Sequence, residues 1–209
     1  MFPRWKKKIF VIGLNKTGTT SMAAVLKSLG YKLGHQAPAE LLLYDWAKRD
    51  FRSLIRYCRS ADAFQDIPFS LDYAYVALDN AFPGSRFILT VRDSAEQWLR
   101  SLSRYHTEKV GKGRLPTAED LRQHPYRKVG WLWDYHRLVH GADEHTLYDH
   151  DSYVRHYELY TARVREYFRW RPADLLEVNL SDSGAAGRIA EFLGVPPSKV
   201  EIPHLNASH

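Results

Sequence analysis

A chain of 209 residues, 44% of them hydrophobic, has the length for one domain with a substantial core and too much apolar content for a disordered segment. Its longest apolar runs, such as Ile9–Ile12 and Phe87–Leu89, fall far short of a bilayer span, and a single cysteine, Cys58, excludes intrachain disulfides and fits a reducing compartment. The net charge of +6 comes from scattered basic residues without zinc-finger spacing or an RNA-binding aromatic motif. Nucleic acid is therefore not the expected partner, and the excess either aids solubility or steers an anionic ligand into a basic cleft.

The start, Met1-Phe-Pro-Arg-Trp-Lys-Lys-Lys8, has the basic character of an export signal, but the apolar stretch after it is interrupted at Asn15-Lys16. A cytoplasmic location is expected. Lys8–Ile12 reads as a short buried strand ending at Gly13. Thr20–Leu29 has helical spacing, with Met22, Val25, Leu26 and Leu29 on one side and Gly30 as its stop. Tyr31–Leu33 predicts a second strand, Leu41–Ser60 a helix, and Ala63–Ile67 a further short strand. A helix over Leu71–Phe82 closes at Pro83-Gly84, and Arg86–Val91, alternating little, reads as a central strand. A helix over Ser94–Tyr105 comes next, then a Gly-, Lys-, Arg- and Pro-rich loop over Lys109–Pro125, in which Lys109–Arg114 fits either a lid or an exposed connection. Helices over Tyr126–His140 and Ser152–Trp170, a strand over Leu175–Asn179 and a helix over Ala185–Leu193 complete the chain. In the first of these, Trp131, Trp133, Tyr135 and His136 suit core packing better than an acceptor pocket. Alternating strands and helices predict an α/β fold: a three-layer, P-loop-like parallel sheet with helices on both faces, in a single domain over residues 1–209, with ligands at the carboxyl edge of the strands.

Gly13-Leu-Asn-Lys-Thr-Gly-Thr-Thr20 lies between the first strand and the first helix. Its glycines let backbone N–H groups approach an anion, the helix presents its positive end, and Lys16 adds a full charge. Thr17, Thr19, Thr20 and Ser21 add hydroxyl donors. Gly13 and Gly18 have the spacing of an ATP- or GTP-binding loop, but Thr19 stands where that loop has its lysine, and the lysine is at Lys16. No strand ending in a magnesium-holding aspartate follows, since Phe87–Val91 runs into Arg92 before Asp93. This argues against magnesium-dependent nucleotide hydrolysis. Asp149-His-Asp151 and His156 lack the spacing and ligand partners of a metal centre and fit a polar turn before a helix.

Asn15-Lys-Thr-Gly-Thr-Thr-Ser21 resembles the 5′-phosphosulfate loop of sulfotransferases that use 3′-phosphoadenosine 5′-phosphosulfate (PAPS). The resemblance implies that Lys16 contacts the oxygen bridging phosphate and sulfate, that Thr19 and Thr20 bind the 5′-phosphate, and that Thr17, Gly18 and Ser21 complete the loop. Ile88-Leu-Thr-Val-Arg-Asp-Ser-Ala-Glu-Gln-Trp-Leu-Arg-Ser101 resembles the same family's 3′-phosphate motif, with Arg92 as a bidentate fork and a hydroxyl on the following helix. Many members place that serine eight residues after the arginine, whereas Ser101 is ninth and Arg100 eighth, so either side chain is a candidate. Ser94 with Gln97 reads as a helix cap rather than a ligand. The resemblance extends to Ala81–Asp93, Phe192-Leu-Gly-Val-Pro and Pro203-His-Leu-Asn206, in the order of a compact soluble branch. It implies transfer of a sulfuryl group to a hydroxyl or amine of a small acceptor, release of the desulfated product PAP, and no metal. The resemblance makes Asp66, standing where cytosolic members commonly carry a histidine, the candidate base for the acceptor's proton, with His35 as the rival; Asp66 alternatively caps a helix starting near Pro68. The other readings left by the residues are an ATP-dependent kinase or phosphotransferase and a nucleotide-binding module without chemistry. The sequence does not specify the acceptor or the oligomeric state.

Overall fold

The computed structural model describes residues 7–203, and the basic start through Lys6 and the motif beyond Pro203 lie outside them. Four strands, β1 (Ile9–Val11), β2 (Ala63–Gln65), β3 (Arg86–Val91) and β4 (Leu175–Asn179), form an all-parallel sheet in the order β2-β1-β3-β4. The helices are α1 (Thr19–Ser28), α2 (Gln36–Glu40), α3 (Leu43–Ala47), α4 (Arg52–Tyr57), α5 (Ala74–Ala81), α6 (Ala95–Lys109), α7 (Ala118–Gln123), α8 (Trp131–His140), α9 (His150–Phe168) and α10 (Ala185–Leu193). The chain separates into two compact units: residues up to Val91 with those from Arg163 onward, and Arg92–Ala162.

The first unit holds the sheet, and the period of two along each strand divides its core. Ile9 and Val11 of β1, Ile88 of β3 and Val178 of β4 pack with Met22, Val25 and Leu26 of α1 and Ile189, Ala190 and Leu193 of α10. The intervening residues face the other way. Phe10 stacks on Phe64 and Phe87, and Phe87 meets Phe168 at the end of α9. The sheet is thus covered on both faces, as strands that are apolar throughout require, and the α/β three-layer expectation holds.

The second unit packs α6, α8 and the first part of α9 around aromatic side chains. Trp98, Trp131, Tyr153 and Tyr160 are at most 2% exposed, and Tyr135 and His136 are buried with them. Two of its histidines are tied to tyrosines: His106 Nδ1 lies 2.7 Å from Tyr148 Oη, and His136 Nδ1 lies 2.7 Å from Tyr153 Oη.

Local structure departs from the sequence reading in several places, and the helix expected over Tyr126–His140 begins only at Trp131. The helix expected over Leu41–Ser60 is broken into α3, α4 and a 3-10 turn at Cys58–Ser60. Arg49 adopts a left-handed φ of 58°, and the Asp50 carboxylate accepts the Arg52 N–H, so one helix ends and another starts there. The strand expected at Tyr31–Leu33 reduces to a single bridge from Leu33 to Ala63. The helix expected from Leu71 begins at Ala74, after Tyr73 in a left-handed conformation. The loop over Lys109–Pro125 contains α7, nucleated by a reciprocal capping box between Thr117 and Asp120.

Candidate functional site

β1 is flanked by β2 on one side and β3 on the other, so the loop leaving β1 emerges where the strand order reverses. Ligands of open parallel sheets gather at this position. Packing against β3 fixes the loop's shape. A Cβ on Gly13 would stand 2.0 Å from Thr90 Oγ and 2.4 Å from the Thr90 carbonyl oxygen, so only glycine fits. Thr17 is 1% exposed, and its hydroxyl donates to the Leu14 carbonyl oxygen at 2.6 Å and lies 2.6 Å from the Thr90 hydroxyl. Its side chain thus holds the loop together. Lys16 and Gly18, at φ 67° and 102°, make the left-handed turns that bring the chain into α1. Gly18 occupies the N-cap of α1 without a side-chain cap, and the first turn carries no acidic residue. An exposed Thr20 and buried Thr19 and Ser21 stand at this positive helix end.

Asp66 follows β2 directly and comes to the same loop. The Thr19 hydroxyl donates to Asp66 Oδ2 at 3.2 Å, and the Ile67 N–H donates to Oδ1 at 2.9 Å. The residue keeps some accessible surface, yet its carboxyl is enclosed enough that burial pushes its pKa from 3.8 up to about 6. The Glu40 charge pushes in the same direction, while the Ile67 N–H, the Thr19 hydroxyl and the Lys16 charge oppose both. A helix-cap role for Asp66 is absent, because no helix starts near Pro68. His35, the rival base, is exposed at the N-cap of α2, and its carbonyl accepts from the Tyr57 hydroxyl.

Beside Asp66 lies a polar group with no counterpart in the sequence reading. Gln36 Nε2 donates to the Ile67 carbonyl at 2.9 Å and to Glu40 Oε1 at 3.2 Å, and Gln36 Oε1 accepts from Gln65 Nε2 at 3.0 Å. Glu40 is only 4% exposed. The available signal was the four-residue spacing of Gln36 and Glu40, which places both on one side of a helix.

In the second unit, Arg92 is the residue immediately after β3. Its N–H donates to Tyr157 Oη at 2.9 Å, and burial works against its charge. Ser94 caps α6 by accepting the Gln97 N–H at 3.2 Å, while Gln97 reaches back to the Asp93 N–H at 3.0 Å. On α6, Arg100 is exposed and Ser101 half-buried. In the loop before α7, the Arg114 guanidinium forks onto the Asp120 carboxylate at 2.7 and 2.9 Å. Asp149 accepts the Ser152 N–H and hydroxyl at the start of α9, as a polar turn before a helix does. Among the described residues no group of three or more His, Cys, Asp or Glu side chains is arranged to hold a metal ion, and no helix is long and apolar enough to cross a membrane.

The structure therefore gathers Lys16–Ser21 and Asp66 in one unit and carries Arg92, Arg100 and Ser101 in the other. An anion cradle with a lysine, a hydroxyl and a carboxyl of raised proton affinity suits transfer of an anionic group to a protic acceptor. No curated protein matches the chain. A family model described as a sulfotransferase domain matches residues 8–209, and the chain belongs to that family.

Proposed function

We propose that the protein transfers a sulfuryl group from PAPS to a hydroxyl or amine of a small acceptor and releases PAP. Membership of the sulfotransferase domain family supports sulfuryl transfer in general. The observation that carries the finer reading is the convergence of Lys16, Thr19 and Asp66 at the loop after β1. The family match spans both units, which supports reading residues 1–209 as one functional domain.

The loop's backbone and hydroxyl groups take the 5′-phosphosulfate, and Arg92 with Ser101 or Arg100 takes the 3′-phosphate. Asp66 accepts the proton of the acceptor as its oxygen or nitrogen bonds to sulfur. The sulfur–oxygen bond to the donor's phosphate breaks, and the electron pair leaves on that phosphate oxygen. Lys16 offsets the charge developing there, which lowers the barrier of a loose transition state. A base with a pKa of about 6 is ionised at neutral pH yet binds a proton more tightly than an ordinary aspartate.

Thermal unfolding in the presence of PAP, ATP–magnesium or AMP tests the donor. A ligand that binds only the native state raises its stability. Stabilisation by PAP well beyond that by AMP is the expected outcome. Preference for ATP–magnesium would overturn the reading in favour of a phosphotransferase, and PAP binding without turnover of any acceptor in favour of a binding module.

A further inference from the structure

We propose that Glu40 is a second acidic residue of this site, a positioning residue that acts on Asp66 through its charge and through the Gln36 bridge. The inference rests on the reading of Asp66 as base and adds a residue to it. Glu40 ends α2, and at 4% exposure its carboxylate has little water to solvate it. Burying a charge is costly unless it is hydrogen-bonded, and Gln36 supplies such a bond here. The charge acts on Asp66, where it ranks second only to burial in raising proton affinity. The bridge gives the pair a defined geometry. Gln36 Nε2 donates both to Glu40 and to the carbonyl of Ile67, the residue whose N–H holds Asp66 Oδ1. Gln65, immediately before Asp66, fixes Gln36 from the other side. Lys16 is a cation that bears on Asp66 in the opposite sense.

Two carboxylates held close cannot both ionise freely, so the one nearer the loop keeps its proton to higher pH. Glu40 thus sets how strongly Asp66 draws a proton from an acceptor without touching the acceptor. Gln36 ties the Glu40 carboxylate to the backbone that follows Asp66. The effect is electrostatic, which separates it from a packing role.

The test needs no acceptor. With aspartate labelled at its side-chain carboxyl carbon, the Asp66 resonance, assigned by its loss in Asp66→Asn, is followed by NMR across pH. In the wild-type protein its midpoint is expected at about 6. Glu40→Gln, which retains an oxygen to accept from Gln36, lowers that midpoint by about half a pH unit or more. Glu40→Asp, which retains the charge, lowers it less. A midpoint unmoved by Glu40→Gln, or moved equally by Glu40→Asp, overturns the inference. Should Glu40→Gln not fold, Gln36→Leu, which cuts the bridge and keeps Glu40, takes its place: an Asp66 midpoint unmoved by that variant overturns the inference. Turnover of 2-naphthol with PAPS separates the two levels. Full turnover in Asp66→Asn removes Asp66 as base while leaving the measured coupling in place, whereas an absent coupling with a dead Asp66→Asn removes only the role of Glu40.

Discussion

Replacing Asp66 by asparagine makes the protein more stable at neutral pH, by an amount that depends on pH. The carboxyl is ionised in the unfolded chain above its ordinary pKa of 3.8, but in the folded protein only above about 6. Below 3.8 both states hold the proton and the group costs nothing. Between the two values the unfolded state releases its proton first, so stability falls as pH rises, and above about 6 the loss is complete. At about 1.4 kcal/mol per pH unit the full loss is about 3 kcal/mol, and residual solvent access brings it to about 1–3 kcal/mol. Asparagine fills the same volume, keeps an oxygen to accept from the Ile67 N–H, can turn its amide N–H toward the Thr19 oxygen, and does not titrate. Urea unfolding of both proteins at about pH 5 and about pH 7.5 isolates the effect, because charges elsewhere cancel in the difference. The advantage of Asp66→Asn is expected to grow by about 1 kcal/mol between the two pH values. An advantage that is flat or shrinks across that range refutes the burial argument. Loss of turnover alongside the gain in stability would mark Asp66 as a residue retained for chemistry at the expense of stability.

Gly13→Ala places a methyl group against the Thr90 hydroxyl and carbonyl and is expected to lower stability by about 2–4 kcal/mol, read from the urea midpoint, whereas a change within about 0.5 kcal/mol would show that the loop has room to move. Arg92→Ala removes the fork assigned to the 3′-phosphate, so PAP binding measured by calorimetry weakens about 30-fold while AMP binding barely changes, and equal losses for both ligands would place Arg92 elsewhere. His136 and His140 have pKa values driven well below 6.5 by burial first and neighbouring histidines second, so the unfolded chain takes up their protons first. Stability should fall as pH drops below about 6.5, and His140→Phe should flatten that slope; an unchanged slope in the variant would acquit the cluster.

Strong local signals made much of the fold legible. β3, β4 and α10 fall on the expected residues, because an unbroken apolar run, a β-rich segment before Asn179 and a Gly194 stop each determine structure within a few neighbours. The loop after β1 was equally plain, its glycines and lysine being contiguous. The break between α3 and α4 was hidden, since neither Gly nor Pro marks Arg49 as left-handed. α7 sat inside a Gly- and Pro-rich stretch whose composition masked the Thr117–Asp120 cap. Gln36 and Glu40 share only the four-residue spacing of one helix, and Gln65 joins them only through the tertiary structure, so no motif marks the three as a group. Asp66 was singled out by position in the chain, and its environment, which gives it a raised proton affinity, came from burial and from Glu40.

The hydroxyl contact between Thr17 and Thr90 has a consequence for how a ligand is received. The bond rivets the loop after β1 to the last turn of the neighbouring strand, with Gly13 wedged between them. The cradle therefore forms when the sheet forms, and its ordering entropy is lost during folding. On the proposed function, a phosphosulfate arriving at the loop meets a backbone already in place, so more of the contact energy remains as affinity. By the same bond, position 17 requires a buried hydroxyl for the shape of the cradle, whether or not a ligand ever touches it.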